Sequence, residues 1–284
     1  MDPTKPLSSI QCNFYFLKRN DELYNVQRPY AFKFPPNNGC PMSNLVHHRV
    51  DGITVEDMRG RKKDFQFEKN GFAVLDVDTG LEYDDHFDPA KAQGYFSMME
   101  GVLKEHLGAS RVDVFRHGIR KRHPLYPVSD GSTYEYDQPT TVVHIDATLK
   151  GTKDEIRWKY GEEAGELLKK RFQWINFWKP LRGPTNDWPL CVCDSSTIDR
   201  HMDLEISDLL YPDRATENSI MYYRDGLKFY FLSDHQPDEV IVFKQMDSLA
   251  SACPGVPHVS SYSPLVAEDE KPRESIEGRA LVFY

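Results

Sequence analysis

The 284-residue chain lacks the marks of several large classes. Cysteine is sparse: five residues, Cys12, Cys40, Cys191, Cys193 and Cys253, with no Cys-x-x-Cys pair and no Asn-x-Ser/Thr acceptor sequence anywhere. An odd, scattered set argues against a disulfide framework, and reduced thiols in a cytoplasmic protein are expected. No apolar run approaches the roughly 20 residues of a membrane span. The opening MDPTKPLSSI has no apolar core of the kind a signal peptide needs. The glycine-rich G-x-G-x-x-G and phosphate-loop sequences are missing, as is G-x-S-x-G. Dinucleotide-binding and serine-hydrolase chemistry built on those turns therefore find no support. Positive charge is short as well, with 35 Lys and Arg against 44 Asp and Glu and a net charge of -9. A nucleic-acid surface needs clustered cations and is not expected. The one basic cluster, Arg116 to Arg122, reads as a solvated loop. Cys191-Val-Cys193, inside the apolar run WPLCVC, reads as buried strand thiols rather than a soft-metal site.

What is present suits a globular protein. Hydrophobic residues make up 39% and aromatics 12%, ordinary for a chain that buries a sizeable core, and the length suffices for one large domain or two small ones, of which a single domain over residues 1–284 is expected. The first fifty residues are rich in Pro, Asn and aromatics, with PYAFKFPPNNG as a loop signal, and are expected to form an irregular extension. Short strand-like pieces follow: GITVEDM, DFQFEKN, GFAVLDV and RVDVF. TTVVHIDATL is the strongest strand signal, β-branched and bounded by turn residues. FQWINFW, PLCVCD, SIMYYRD, KFYFLS, EVIVFKQ and ESIEGRALVFY complete the series. Only two helices interrupt. One runs from Asp88 to Leu107, with Asp88 as N-cap, Pro89 in the first turn and Gly108 as the stop. The other covers Asp154 to Lys170. Many short strands with few helices predict a mainly β fold, a barrel or jelly roll with flanking α-helices, its core spanning residues 110–284.

Two His and one carboxylate on one face of an octahedron commonly hold Fe(II) in oxygen-activating enzymes. His144-Ile-Asp146 supplies two such ligands from one strand, where residues two apart point to the same side. The pattern occurs three times. His86-Phe-Asp88 precedes Pro89 and uses Asp88 as a cap. His201-Met-Asp203 lies in an acidic, helix-prone stretch. The copy at 144 alone lies in a β-branched strand. A second His has two candidates: His235, in the turn SDHQPDE that suits a solvated loop, and His258 in GVPHVSSYSP. His258 is followed by a strand bearing Arg273, Ser275 and Arg279, at spacings of 15 (273 − 258) and 21 (279 − 258) for the two cations. A dianionic co-substrate such as 2-oxoglutarate needs a charge-assisted, preferably bidentate partner. That order selects His258, and it leaves Arg273 and Arg279 both open. A surface ion pair with Glu274 or Glu277 is the plainer use of each.

At these residues the chain resembles the fungal hydroxylase/desaturase family grouped with AsaB-like proteins, gibberellin desaturase and the cephem methoxylase-associated CmcJ. The matching stretches include DMRGRKKDFQFEKNGFAVL, RVDVFRHGIR, VVHIDAT, WINFWKPLRGPTNDWPLCVCDSSTI, EVIVFKQMDS, PHVSSYSP and PRESIEGRALVFY. The resemblance implies a double-stranded β-helix, cupin-like, that uses Fe(II), 2-oxoglutarate and O2 to hydroxylate, desaturate or cyclise a small secondary metabolite, terpenoid or amino-acid-derived. It carries metal ligation onto His144, Asp146 and His258, and co-substrate binding onto Arg273 or Arg279, with Ser275 beside them. Asn176, Trp178 and Lys179 fall in the family's Asn-x-Trp-Arg-Pro-Leu stretch and are candidate substrate contacts, with Lys179 in place of the family's Arg. Two other readings use the same ligands: a Zn or Mn cupin-type hydrolase or isomerase, which has no need of a distal-carboxylate Arg, and a non-catalytic metal-binding subunit. A homodimer is the default expectation for assembly.

Overall fold

Alternating burial shapes the N-terminal region. Ile10, Cys12, Phe14 and Phe16 are buried while the residues between them are not. The computed structural model, which describes residues 9–37, 39–128, 133–249, 251 and 253–284, accordingly begins with a strand. The expected irregular extension does not hold for Ser9–Leu17: a period-two run, IQCNFYF, lies among Pro- and Asn-rich flanks that mask it. Residues 1–8, on which the reading of the N-terminal leader partly rested, lie outside the described residues.

Among the described residues the chain forms fourteen strands, in order β1 (Ser9–Leu17), β2 (Tyr30–Phe32), β3 (His47–Asp57), β4 (Phe72–Asp76), β5 (Arg111–Lys121), β6 (His144–Ile145) and β7 (Phe172–Pro180). Then come β8 (Leu190–Cys193), β9 (Leu204–Leu210), β10 (Ala215–Met221), β11 (Phe229–Phe231), β12 (Glu239–Asp247), β13 (His258–Ser260) and β14 (Glu274–Phe283). They form a nine-stranded sheet, β1-β3-β11-β8-β13-β6-β10-β9-β2, and a five-stranded one, β4-β12-β7-β14-β5. The sheets meet across Trp178, Ile241 and Phe243 on one side and Leu190, Val192 and Tyr230 on the other. This is the expected mainly β jelly roll.

Helix α1 (Pro89–Leu107) covers the outer face of the five-stranded sheet, burying Tyr95, Phe96, Met99 and Leu103 against Ile175 and Phe177. Its start and stop are the expected ones. Asp88 Oδ1 accepts from the Ala90 and Lys91 N–H groups at 2.9 and 3.0 Å, and Gly108 takes φ 62°. Helix α2 (Leu149–Tyr160) starts five residues before the expected Asp154, because Thr148 Oγ1 caps it by accepting from Gly151 N–H at 3.0 Å. It stops at Gly161, with a separate short helix over Ala164–Leu167. Two strand expectations fail. DFQFEKN ends in a helical turn, Phe67–Asn70, closed by Gly71 at φ 85°. Within TTVVHIDATL the strand is only His144–Ile145, because Thr148 turns the chain into α2. Among the described residues no helix is long and apolar enough to cross a membrane.

One close approach fixes how tightly the outer layer is built. Gly278 of β14 lies opposite Phe177 of β7, and a Cβ there would stand 2.0 Å from Phe177 Cζ. The aromatic ring lies directly on the glycine backbone. Gly278→Ala is expected to destabilise the protein by about 1–3 kcal/mol through overpacking. Thermal unfolding of the variant, read against wild type, checks it: an unchanged Tm would mean the ring moves at no cost.

Candidate metal centre

His144 of the short strand β6 is opposed in register by His258 of β13 on one side and by Ile220 of β10 on the other. Directly opposed residues project to the same face of a sheet, so the imidazoles meet, with ring centroids 4.4 Å apart. Asp146, two residues on, reaches the same space, and its Oδ1 lies 3.4 Å from His144 Nε2. One ligand atom from each of the three lies within 4.8 Å of the others. The tautomers follow from the neighbouring backbone. His144 Nδ1 donates to the Val142 carbonyl at 2.8 Å, and His258 Nδ1 faces the Val256 carbonyl at 3.3 Å. A proton held at Nδ1 leaves the Nε2 lone pair for a metal. Burial, aided by the neighbouring His144, pushes His258 down to about 3, so it stays neutral. Burial alone would raise the Asp146 carboxyl. The opposing charge of Arg279, with the two imidazoles, outweighs it and holds the group well below the usual carboxylate range. Two imidazoles with Nε2 left free by their backbone-held Nδ1, and an ionised carboxylate, form the donor set that suits Fe(II).

The other His-x-Asp copies are used elsewhere. Asp88 caps α1, and His86 Nδ1 lies 3.2 Å from the Tyr83 carbonyl. His201 is exposed on a short helix, and Asp203 pairs with Arg224 at 2.8 Å. His235 departs from expectation in a different way. It is buried, not solvated: Nε2 lies 2.8 Å from the Glu239 carbonyl and the ring 5.3 Å from Trp178. The polar turn that carries it folds back onto the sheet. His144, Asp146 and His258 are the one such group among the described residues.

The two arginines separate clearly. Arg279 is committed to protein carboxylates: Nη2 lies 3.1 Å from Asp146 Oδ2, and Nε donates to Glu277 Oε1 at 2.9 Å. Arg273 immediately precedes β14 and is buried. Its Nη1 donates to the Trp188 carbonyl at 2.6 Å and to Ser260 Oγ at 2.7 Å. Trp188 has φ 45°, an uncommon backbone for an aromatic residue. Among the described residues no carboxylate pairs with the Arg273 guanidinium, and its Nε is buried without a partner. Burial, then repulsion from Arg120, pushes it down to about 9. Ser275 Oγ is likewise buried without a partner. Arg273, Glu277 and Arg279 line one cavity with the triad, Trp178 and Arg120. The expected surface pairing of Arg273 with Glu274 is therefore absent, and the pairing of Arg279 with Glu277 is present but inside the site.

On β7, Trp174, Asn176 and Trp178 share one face, with Trp178 packed on the other sheet and Trp174 against Ala147, Ile156 and Ala164, and Phe177 and Lys179 face α1. Asn176 Nδ2 donates to Asp146 Oδ2 at 2.7 Å, and Trp178 lines the cavity. Lys179 is not brought to the site. Its Nζ lies 5.3 Å from the centre of the Tyr95 ring, buried and, among the described residues, without a hydrogen-bond partner. The basic cluster is no loop: it lies along β5 and its edge, with Arg120 in the cavity, Arg116 paired to Glu155 at 2.8 Å and Arg122 to Asp187 at 2.6 Å. Cys191 and Cys193 are buried strand thiols, as expected. Sequence reasoning missed Gln245, whose Oε1 accepts the Asp146 N–H at 2.6 Å, and Trp174, which shares the parity of Asn176 and Trp178.

Known proteins carry the same framework. The pattern of a family described as "Oxidoreductase/YMDC permease-like domain" matches residues 14–283. An Fe(II)/2-oxoglutarate-dependent dioxygenase of Aspergillus novofumigatus is 30% identical, over 89% of this chain and 90% of its own. The chain belongs to the family of Fe(II)/2-oxoglutarate-dependent dioxygenases. An alpha-ketoglutarate-dependent dioxygenase of Talaromyces stipitatus is 29% identical over 82% of this chain and 84% of its own, and a hydroxylase/desaturase of Hormonema carpetanum is 28% identical over 87% and 88%. The solved structure of an iron and alpha-ketoglutarate-dependent endoperoxidase superposes with a TM-score of 0.83 at 26% identity, covering 97% of this chain and 98% of that one. This dioxygenase is thus an oxidoreductase whose cofactor and co-substrates are Fe(II), 2-oxoglutarate and O2, and the hydrolase and non-catalytic readings are not favoured.

Proposed function

We propose that His144, Asp146 and His258 hold the iron of this dioxygenase, and that Arg273, with Ser275 beside it, binds the distal carboxylate of 2-oxoglutarate. The observation that carries the reading is the contrast between two arginines in one cavity. Arg279 already has carboxylate partners, whereas Arg273 is a buried cation with an unpartnered Nε and a neighbouring unpartnered hydroxyl. A buried cation without an anion is costly, and a dicarboxylate reaching from the triad supplies one. Bound iron, with 2-oxoglutarate and O2, supplies the oxidising power that removes hydrogen from an unactivated C–H bond. The chain's residues position and shield. The Val142 and Val256 carbonyls hold the Nδ1 side of the two imidazoles, so that their Nε2 atoms face the cavity. Asp146 stays ionised. Trp178 and Leu190 supply apolar surface to the lining of the cavity.

The substrate proposed is a small secondary metabolite, terpenoid or amino-acid-derived, and the names of relatives, hydroxylase/desaturase and endoperoxidase, support oxidation of such a molecule. Oxygen insertion, desaturation and ring formation all begin with the same hydrogen removal. Buried free thiols at Cys12, Cys191 and Cys193 support a reducing, cytoplasmic setting. A homodimer is the proposed assembly, on the general frequency of two-fold oligomers alone. The test is anaerobic titration of the wild-type protein with Fe(II) and then 2-oxoglutarate. A weak visible charge-transfer band of the iron chelate is expected, saturating at one iron per chain. No band in metal-loaded protein would sink the proposal.

A further inference from the structure

The Asp146 carboxylate has two oxygens, and they face different surroundings. Oδ1 lies 3.4 Å from His144 Nε2, on the side of the imidazoles. Oδ2 is claimed by the sheet: Asn176 Nδ2 donates to it at 2.7 Å, and Arg279 Nη2 stands 3.1 Å away. An Asn side chain presents either its oxygen or its nitrogen to a neighbour, and only its other contacts decide which. For Asn176 the deciding contact is Trp174, whose Nε1–H donates to Asn176 Oδ1 at 3.0 Å. An indole N–H can donate but never accept. Oδ1 of Asn176 is therefore held at Trp174, and Nδ2 is left for Asp146. Trp174 itself is fixed by the Phe115 ring, edge-on at 4.7 Å. Trp174 and Asn176 are both buried, so water cannot compensate a flipped amide.

We propose that Trp174 is a positioning residue of the metal centre. Through the Asn176 amide, and together with Arg279, it reserves Oδ2 of Asp146 and leaves Oδ1 alone for the metal. A carboxylate free to turn would offer both oxygens and cover a second coordination position, which the co-substrate or O2 needs. The inference rests on the triad reading of the preceding section.

The experiment uses Co(II), whose visible d–d bands report coordination without turnover. It is titrated into wild type, Trp174→Phe and His144→Ala. Phe keeps the apolar ring against Phe115 and removes only the donor. The expected result is Co(II) affinity about 10- to 100-fold weaker in Trp174→Phe, with altered d–d bands and a metal-free Tm near that of wild type. Wild-type affinity and bands in Trp174→Phe would overturn the role of Trp174. Wild-type Co(II) binding that survives His144→Ala would overturn the triad reading instead. A second measurement needs no variant. In protein labelled with nitrogen-15 tryptophan, Zn(II) loading is expected to displace the Trp174 indole N–H resonance and slow its exchange with solvent. An indole signal indifferent to Zn(II) would also overturn the role of Trp174.

Discussion

Arg273→Ala is expected to weaken 2-oxoglutarate binding while leaving iron binding intact. Removing one partner of a buried, hydrogen-bonded charge pair costs about 2–4 kcal/mol, a roughly 30- to 1,000-fold loss. The loss should appear in the KM for 2-oxoglutarate and as a chelate band that forms only at much higher co-substrate. Arg279→Ala should behave differently. Arg279 touches Asp146 and Glu277, so its loss should show first as weaker iron binding. His144→Ala and His258→Ala should form no band at any concentration. The separation between the two arginines is the informative part. If Arg279→Ala alone raised the 2-oxoglutarate requirement and Arg273→Ala bound it normally, their roles would have to be exchanged. A Lys at position 273 should recover little, because a point charge cannot reproduce the planar fork.

Lys179→Met is expected to stabilise the protein at neutral pH. The wild-type ammonium is buried with no hydrogen-bond partner, and burial pushes it down to about 8 from 10.5. The sign follows from linkage. Below about pH 8 both folded and unfolded chains hold the proton, and the folded state carries the full penalty of burying a charge. Between about 8 and 10.5 the unfolded chain holds more protons than the folded one, so stability contributed at this site rises with pH. Above 10.5 both are neutral and the penalty is gone. A drop of about 2.5 units corresponds to about 3 kcal/mol. Lys179→Met should therefore gain about that much at pH 7, and the gain should shrink towards pH 10.5. Urea unfolding of both proteins at pH 7 and pH 10 measures the difference. An equal difference at both values would show that packing, not charge, separates the variants.

Much of this architecture is legible in the chain itself, and the failures have identifiable causes. Helix α1 is readable because its signals are local: an Asp-Pro start, a glycine stop and apolar residues at helical spacing. The triad is readable because period-two geometry puts His144 and Asp146 on one side, and chain order favours His258. The N-terminal strand was hidden by the proline and asparagine around it. His235 looked solvated because its sequence neighbours are polar, yet its ring packs against Trp178, which meets it only in the fold. The same limit applies to the arginines. Spacing makes Arg273 and Arg279 equivalent, and only the carboxylates around each tell them apart. Lys179 stands beside two residues that face the site, and strand parity alone sends it to the opposite layer. That inference was available from Asn176 and Trp178, whose shared face excludes the residue next to them. Gln245 left no local signal at all, since it reaches Asp146 from 99 residues away.

Strand β6 contributes only two residues, yet it bridges β13 and β10 in the middle of the larger sheet. Three registered pairs, His144 with His258, His144 with Ile220 and Ile145 with Ser219, hold that bridge. Two of the three involve a ligand of the proposed centre. An ion gripped by both imidazoles and Asp146 would therefore rivet sheet neighbours that lie far apart in the chain. Each tenfold excess of free metal over its Kd would add about 1.4 kcal/mol to the folded state. Iron supply would then govern not only how fast this dioxygenase turns over but how long each molecule survives chaperones and proteases before it does.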